Sequence, residues 1–278
     1  MEKKYFEKGN INWDYDDLLN ELDNFIHIYE KRPIKNNKGG MQFSSMFYFY
    51  FILKNKKPSL VVESGVFKGQ STWLIENTLP NSEIFSIDID LDQRKYFSKK
   101  SKYSNIDFKF QDFQNIPKDT LVFFDDHVNH ADRIIESKFF DIKNIILEDN
   151  YSANTGDFQT IKQLYNGYTF KHNPGLLSLI KSILLFNNLI FKKIIKSKYS
   201  IKKDLDNLSK RIRDGYESIN FKNIEKNISL YYEFPPLIKN QNEKILEKKP
   251  LLESHPFISN PKDSKFVNTN YFTYLELV

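Results

Sequence analysis

The chain contains no cysteine in 278 residues. Disulfides, thiolate metal sites and a cysteine nucleophile are thereby excluded, and the composition fits a reducing, cytoplasmic setting. No run of apolar residues approaches the roughly 20 needed to cross a bilayer. The opening residues Met1-Glu2-Lys3-Lys4-Tyr5 lack the apolar stretch of a signal peptide. Arginine is scarce as well, at five positions (Arg32, Arg94, Arg133, Arg211 and Arg213) among 41 Lys and Arg. Base readout and bidentate phosphate clamps favour arginine, so a net charge of +5 carried mainly by lysine argues against a nucleic-acid partner.

The charge is unevenly placed. Between Lys171 and Arg213 there are 11 Lys and Arg against 2 Asp, a balance of +9, which leaves −4 for the rest of the chain. Within that stretch, residues 176–198 carry a helical pattern. Leu176, Leu179, Ile180, Ile183, Phe186, Ile190 and Ile194 share one face, opposite Lys181, Lys192 and Lys196. Such a helix buries its apolar face against protein, as a lid or in a homodimer, or lies on an anionic membrane as a peripheral contact.

Residues 10–31 read as an amphipathic helix, and 41–54 (MQFSSMFYFYFILK) as a short buried one. From Leu60 onward, short apolar runs alternate with helical stretches. Strands are expected at 60–65, 83–90, 106–113, 120–126 and 144–150. Helices are expected at 71–79 and 91–101, around 130–138 and near 157–166. Residues 228–234 and 266–278 read as two closing strands. The rhythm is that of a mostly parallel α/β sheet covered on both faces. The chain divides into an N-terminal helical extension, 1–57, and an α/β domain, 58–278, interrupted by a helical insertion at 175–227.

The most informative segment is Glu63-Ser64-Gly65-Val66-Phe67-Lys68-Gly69-Gln70-Ser71-Thr72, which follows a strand and opens a helix. Gly65 permits a tight turn and Gly69 a close backbone approach, and the helix start presents free N–H groups. A nicotinamide fingerprint, G-x-G-x-x-G, would need glycine where Phe67 and Gln70 stand, so an oxidoreductase and any pyrophosphate ligand are disfavoured. Asp88 closes the second strand, where a carboxylate can accept ribose hydroxyls, and Asp90 is one step beyond. Asp112-Phe113 closes the expected third strand, where it can meet an adenine edge. Lys38-Gly39-Gly40-Met41 is either a plain turn or a loop that folds over the cofactor. Asp125, Asp126, His127 and His130 follow the fourth strand, and Glu148 and Asp149 the fifth. Four carboxylates and two histidines thus gather at one end of the sheet, where their mutual repulsion favours a divalent cation with oxygen ligands. The plainer alternative is a set of helix caps and solvated loop charges.

VVESGVFKGQST, IFSIDID and FQDF together resemble the class I S-adenosylmethionine-dependent methyltransferases, over about residues 58–170. The resemblance implies a Rossmann-like sheet of seven strands with the last antiparallel. It places Glu63, Gly65 and Gly69 at the methionine moiety beside Gln70, Ser71 and Thr72, Asp88 at the ribose, and Asp112 and Phe113 at the adenine. The acidic cluster is similar to that of the metal-dependent sugar O-methyltransferases and the cephalosporin-hydroxylase-like proteins. That similarity implies Mg2+ held by Asp126, Glu148 and Asp149. In those sugar enzymes the base is a histidine three places after the metal-binding aspartate. Here Asn129 stands there, leaving His130 or His127. The expected activity is O-methylation of a hydroxyl on a sugar or other small-molecule polyhydroxyl acceptor, or a glycan. The alternative is a catalytically silent S-adenosylmethionine- or nucleotide-binding protein whose basic helix meets a partner or the inner face of a membrane.

Overall fold

The computed structural model describes residues 6–152, 156–168, 221–238, 248–252 and 271–278. The basic segment 176–198, most of the expected insertion, and residues 266–270 lie outside the described residues.

Helix α1 (Tyr15–Glu30) begins where Asp14 accepts hydrogen bonds from the amides of Asp16 and Asp17, with the Asp17 side chain returning to the Asp14 amide. Leu18, Leu22 and Phe25 recur at three- and four-residue spacing and form its buried stripe. Helix α2 (Phe43–Lys56) has no polar stripe, and Met46 to Leu53 are buried without a break. It stops at Lys57, whose φ of 47° is left-handed.

The sheet comprises β1 (Leu60–Ser64), β2 (Glu83–Ile87), β3 (Ser101–Ser104), β4 (Leu121–Phe124), β5 (Asn144–Leu147), β6 (Ile228–Glu233) and β7 (Thr273–Leu277). Their order is β3-β2-β1-β4-β5-β7-β6. β1 to β5 pair in parallel, and β7 runs antiparallel to both β5 and β6. This is the Rossmann-like, class I methyltransferase sheet that the resemblance implies. Among the described residues, the remaining α-helices are α3 (Gln70–Thr78), α4 (His130–Phe139), α5 (Ile161–Tyr165) and α6 (Phe221–Glu225).

Two apolar clusters cover the two faces of the sheet. One unites α1, α2 and α3 with Val61, Phe123, Ile146 and Tyr274, so the N-terminal helices share the core of the sheet. The other joins Val62, Val122, Phe124, Ile145 and Leu275 to α4, α5 and α6. Successive residues of β1 and β4 therefore enter opposite clusters, and a continuous apolar strand is needed rather than an alternating one.

Two expectations fail in the same region. The helix expected over 91–101 is a single 3-10 turn, Leu91–Gln93, and the strand expected over 106–113 is another, Phe108–Phe110. The third strand is instead the polar Ser101–Ser104 at the sheet edge. An edge strand buries little, so it carries no apolar signal. The alternation of Phe108 and Phe110 reflects one buried and one exposed ring within a turn.

Candidate active site

Three parallel strands deliver their carboxyl ends to one cavity of about 550 Å3. Ser64, Gly65 and Phe67 reach it from β1, Ile87, Asp88, Ile89 and Asp90 from β2, and Asp125 to Val128 from β4. Gly39, Gly40, Gln93, Asp107 and Arg133 complete the wall. Its position fits the rule that open α/β sheets bind ligands outside the carboxyl ends of their strands, and its size suits a small organic ligand.

The glycines of the loop answer to neighbouring backbone. A Cβ on Gly65, at φ +102°, would stand 2.1 Å from the Asp125 carbonyl oxygen. One on Gly69, at φ +87°, would stand 2.7 Å from the Tyr96 carbonyl oxygen. Between them, the amides of Val66 and Phe67 both donate to Asp88 Oδ2, each at 2.8 Å, and the Asp90 amide donates to Asp88 Oδ1 at 2.9 Å. Glu63 is fully buried under the loop. Its Oε2 accepts from Thr72 Oγ1 at 2.6 Å and Ser86 Oγ at 2.7 Å, while Oε1 has no partner. Burial raises its pKa. Gln70, Ser71 and Thr72 are buried, away from the cavity wall.

The structure moves the adenine-side expectation. Asp112 is exposed and accepts from the Gln114 amide, while Phe113 packs against Phe108 and Phe140. Neither lines the cavity, because the strand expected to present them is absent. Asp107 faces it instead.

Asp107 and Asp126 converge on Arg133 of α4, whose side chain is almost wholly buried. The guanidinium forks onto Asp107 (3.0 and 3.2 Å) and reaches Asp126 Oδ2 at 2.8 Å and Glu136 at 2.7 Å. The rings of Phe108 and Phe124 flank it at 5.6 and 5.5 Å. Asp126 also accepts the Ser64 hydroxyl. Sequence reasoning missed Arg133. Its one signal was an arginine in the apolar-patterned helix directly after an acidic pair.

With Asp126 thus engaged, a different trio comes together. Ligand atoms of Asp125, His127 and Asp149 lie within 4.8 Å of one another. Glu148 borders the same small cleft. It is buried, and its Oε2 has no partner. Burial and the Asp149 charge raise the Glu148 carboxyl to about 8. Asp125 is raised well above the usual range by burial and then by Glu148, Asp149 and Asp126. Burial likewise raises Asp149. Ser45 and Tyr151 offset part of this at Glu148 and Asp149, and the remaining crowding of carboxylates is of the kind a hard cation relieves. The residues therefore fit a divalent ion, through Asp125 rather than the expected Asp126. His127 and Asp149 hold left-handed backbone at φ 56° and 57°, unusual for residues with a side chain and frequent where strand ends present functional groups.

The two histidines part company. His130 is buried, its Nδ1 accepts from the Ile161 amide at 3.3 Å, and its Nε2 lies 3.1 Å from the Glu148 carbonyl oxygen. Those contacts fix Nε2–H as a donor and occupy both nitrogens. Burial lowers its pKa to about 3. His130 therefore stands as a structural strut, contrary to the expectation of a base. His127 is half-exposed. Asp157 lies 2.9 Å from its Nδ1, and its Nε2 faces Asp149 at 3.9 Å.

No family model and no curated protein matches this sequence. Solved structures do match in part. CmcI-N160 with SAH is 13% identical, covering 61% of this chain and 93% of its own, with a TM-score of 0.36. SAH-bound methyltransferase PaMTH1 from Podospora anserina is 11% identical over 57% and 84%, with a TM-score of 0.36. The O-methyltransferase TomG from Streptomyces achromogenes, in complex with SAM, is 10% identical over 50% and 67%, with a TM-score of 0.35.

Proposed function

We propose that the chain is an S-adenosylmethionine-dependent O-methyltransferase acting on a hydroxyl of a sugar or other polyhydroxyl acceptor. The observation that carries this reading is the charge of the cavity at the carboxyl ends of β1, β2 and β4. Five aspartates (Asp88, Asp90, Asp107, Asp125 and Asp126) line it with one arginine, which is already paired. Such a wall favours a cationic nucleoside over a phosphate-bearing one. When bound, S-adenosylmethionine supplies an electrophilic methyl on a sulfonium and leaves as the neutral thioether. Asp88 has one lone pair free on Oδ1 for a ribose hydroxyl, and Gly39-Gly40 closes the cavity from the N-terminal side.

His127 is the base in this reading. Asp157 orients it through Nδ1, which leaves Nε2 to take the acceptor's hydroxyl proton as the O–CH3 bond forms and the S–CH3 bond breaks. Asp125, Glu148 and Asp149 would hold Mg2+, which prefers carboxylate oxygens to imidazole. A bound divalent ion supplies Lewis acidity and a template for vicinal hydroxyls.

The test is a thermal-shift panel of S-adenosylmethionine, S-adenosylhomocysteine, NAD and NADP, each with Mg2+ and with EDTA. A ligand that binds only the folded state raises the melting temperature. Stabilisation by the two sulfur nucleosides and not by the nicotinamides is expected. A shift with NAD or NADP alone would overturn the assignment.

A further inference from the structure

We infer that Asp88 acts as a built-in anion that fills the amide nest of the glycine loop and so bars phosphate from it. Two successive backbone N–H groups, of Val66 and Phe67, converge on a single oxygen, Asp88 Oδ2, at 2.8 Å each. Phe67 has a left-handed φ of 46°, the kind of backbone turn that aims neighbouring amides at one point. Consecutive amides arranged in this way form a concave anion site, the device with which glycine loops bind phosphate. Here the site opens on the cavity, since Gly65, Phe67 and Asp88 all line it.

Asp88 is well held in that position. Its own amide donates to the Ser104 carbonyl at 3.1 Å, and its Oδ1 accepts the Asp90 amide. Both lone pairs of Oδ2 are spent on the loop. A phosphate reaching for the two amides must displace a carboxylate and then sit beside it, with Asp90 close by. Among the described residues, the one Lys or Arg of the wall is Arg133, which is committed to Asp107, Asp126 and Glu136. Like charges held a few ångströms apart in a partly enclosed site are strongly unfavourable. The loop thus keeps the geometry of a phosphate cradle while Asp88 has converted it to a site for nucleosides without phosphate. This specificity role deepens the proposed methyltransferase reading and rests on the same cavity, but its test is separable.

Binding of adenosine, S-adenosylhomocysteine, ADP and inorganic pyrophosphate is measured by calorimetry in EDTA, which removes any metal-bridged mode. The protein is used as wild type, Asp88→Asn and Asp88→Ala. Wild type is expected to bind adenosine at least tenfold more tightly than ADP and to show no pyrophosphate binding. Asp88→Asn retains an acceptor oxygen for the loop but loses the charge, and should gain at least tenfold in ADP affinity. Asp88→Ala vacates the nest and should bind pyrophosphate. Equal or tighter ADP than adenosine binding by wild type overturns the inference, and that comparison requires no variant. So does an ADP affinity within twofold of wild type in both variants. If S-adenosylhomocysteine fails to bind while the phosphate gain appears, the methyl-donor reading falls and the role of Asp88 stands.

Discussion

Replacing Arg133 with methionine tests the buried charge network most directly. The arginine contacts three carboxylates at 2.7–3.2 Å and is almost completely removed from solvent. Methionine keeps much of the apolar stem but leaves Asp107, Asp126 and Glu136 facing one another without their paired guanidinium, with Lys109 still acting on Asp107 and Glu136. Removing one partner of a buried pair costs about 3–5 kcal/mol, mostly because the remaining charge is left unpaired. In a domain of this size, 1 kcal/mol moves the melting temperature by about 2–4 °C. The expected loss is therefore roughly 6–20 °C, read by circular dichroism. Acid supplies a second signature. Arg133 overcomes the effect of burial on Asp107 and holds its folded pKa below the ordinary value. Its stabilisation is thus present above the unfolded pKa, about 3.9, and lost as pH falls through the folded one. The gap between wild type and variant should narrow below about pH 4. Asp107→Asn in the Arg133→Met background should recover part of the loss, and Arg133→Lys should fall between, because an ammonium cannot reproduce the fork. A variant melting within about 2 °C of wild type, or a gap unchanged in acid, would refute the account.

Other consequences are equally open to measurement. Gly65→Ala forces a Cβ against the Asp125 carbonyl and should cost on the order of 3 kcal/mol or more, whereas Gly167→Ala, at φ +76° with nothing within 4 Å, should cost only about 1–2 kcal/mol in urea unfolding. Mg2+ should raise the melting temperature of wild type and of Asp126→Asn but not of Asp125→Asn. The reverse pattern would restore the originally expected ligand. His130, lowered to about 3 in the folded protein, favours the folded state fully above the unfolded pKa of about 6.5. Wild-type stability should therefore decline by up to about 1.4 kcal/mol per pH unit between about pH 6.5 and 3, and His130→Gln should lose that component of the slope. His127→Gln should abolish methyl transfer while leaving S-adenosylhomocysteine affinity within about threefold; a variant that retains full turnover would remove it as the base.

Much of the sheet was legible because its central strands are buried on both faces. Leu60–Ser64, Leu121–Phe124 and Asn144–Leu147 read as apolar runs for that reason, and the helices after the first and fourth strands lay close to their expected bounds. The edge was not legible. Ser101–Ser104 has neither apolar run nor alternation, and its strand character comes only from pairing with β2. The carboxylates after the fourth strand were found as a group, but their division of labour was not. Asp125 and Asp126 are adjacent and chemically identical, and Arg133 on α4, with the Ser64 hydroxyl, turns Asp126 away from the cluster of Asp125, His127 and Asp149. His127 and His130 differ likewise in what α5 and β5 place around them.

Helix α2 has a bearing on how the chain reaches its fold. Its stretch from Met46 to Leu53 is covered on every side, and part of that cover arrives late: Phe49 packs on Phe123 and Phe272, and Tyr48 on Phe234 and Phe272. While the chain is being synthesised, the FYFYFIL stretch therefore waits without its partners, and contacts so distant in sequence form slowly. A nascent chain stalled before β7 should present α2 as an adhesive apolar segment, a natural binding site for a ribosome-associated chaperone.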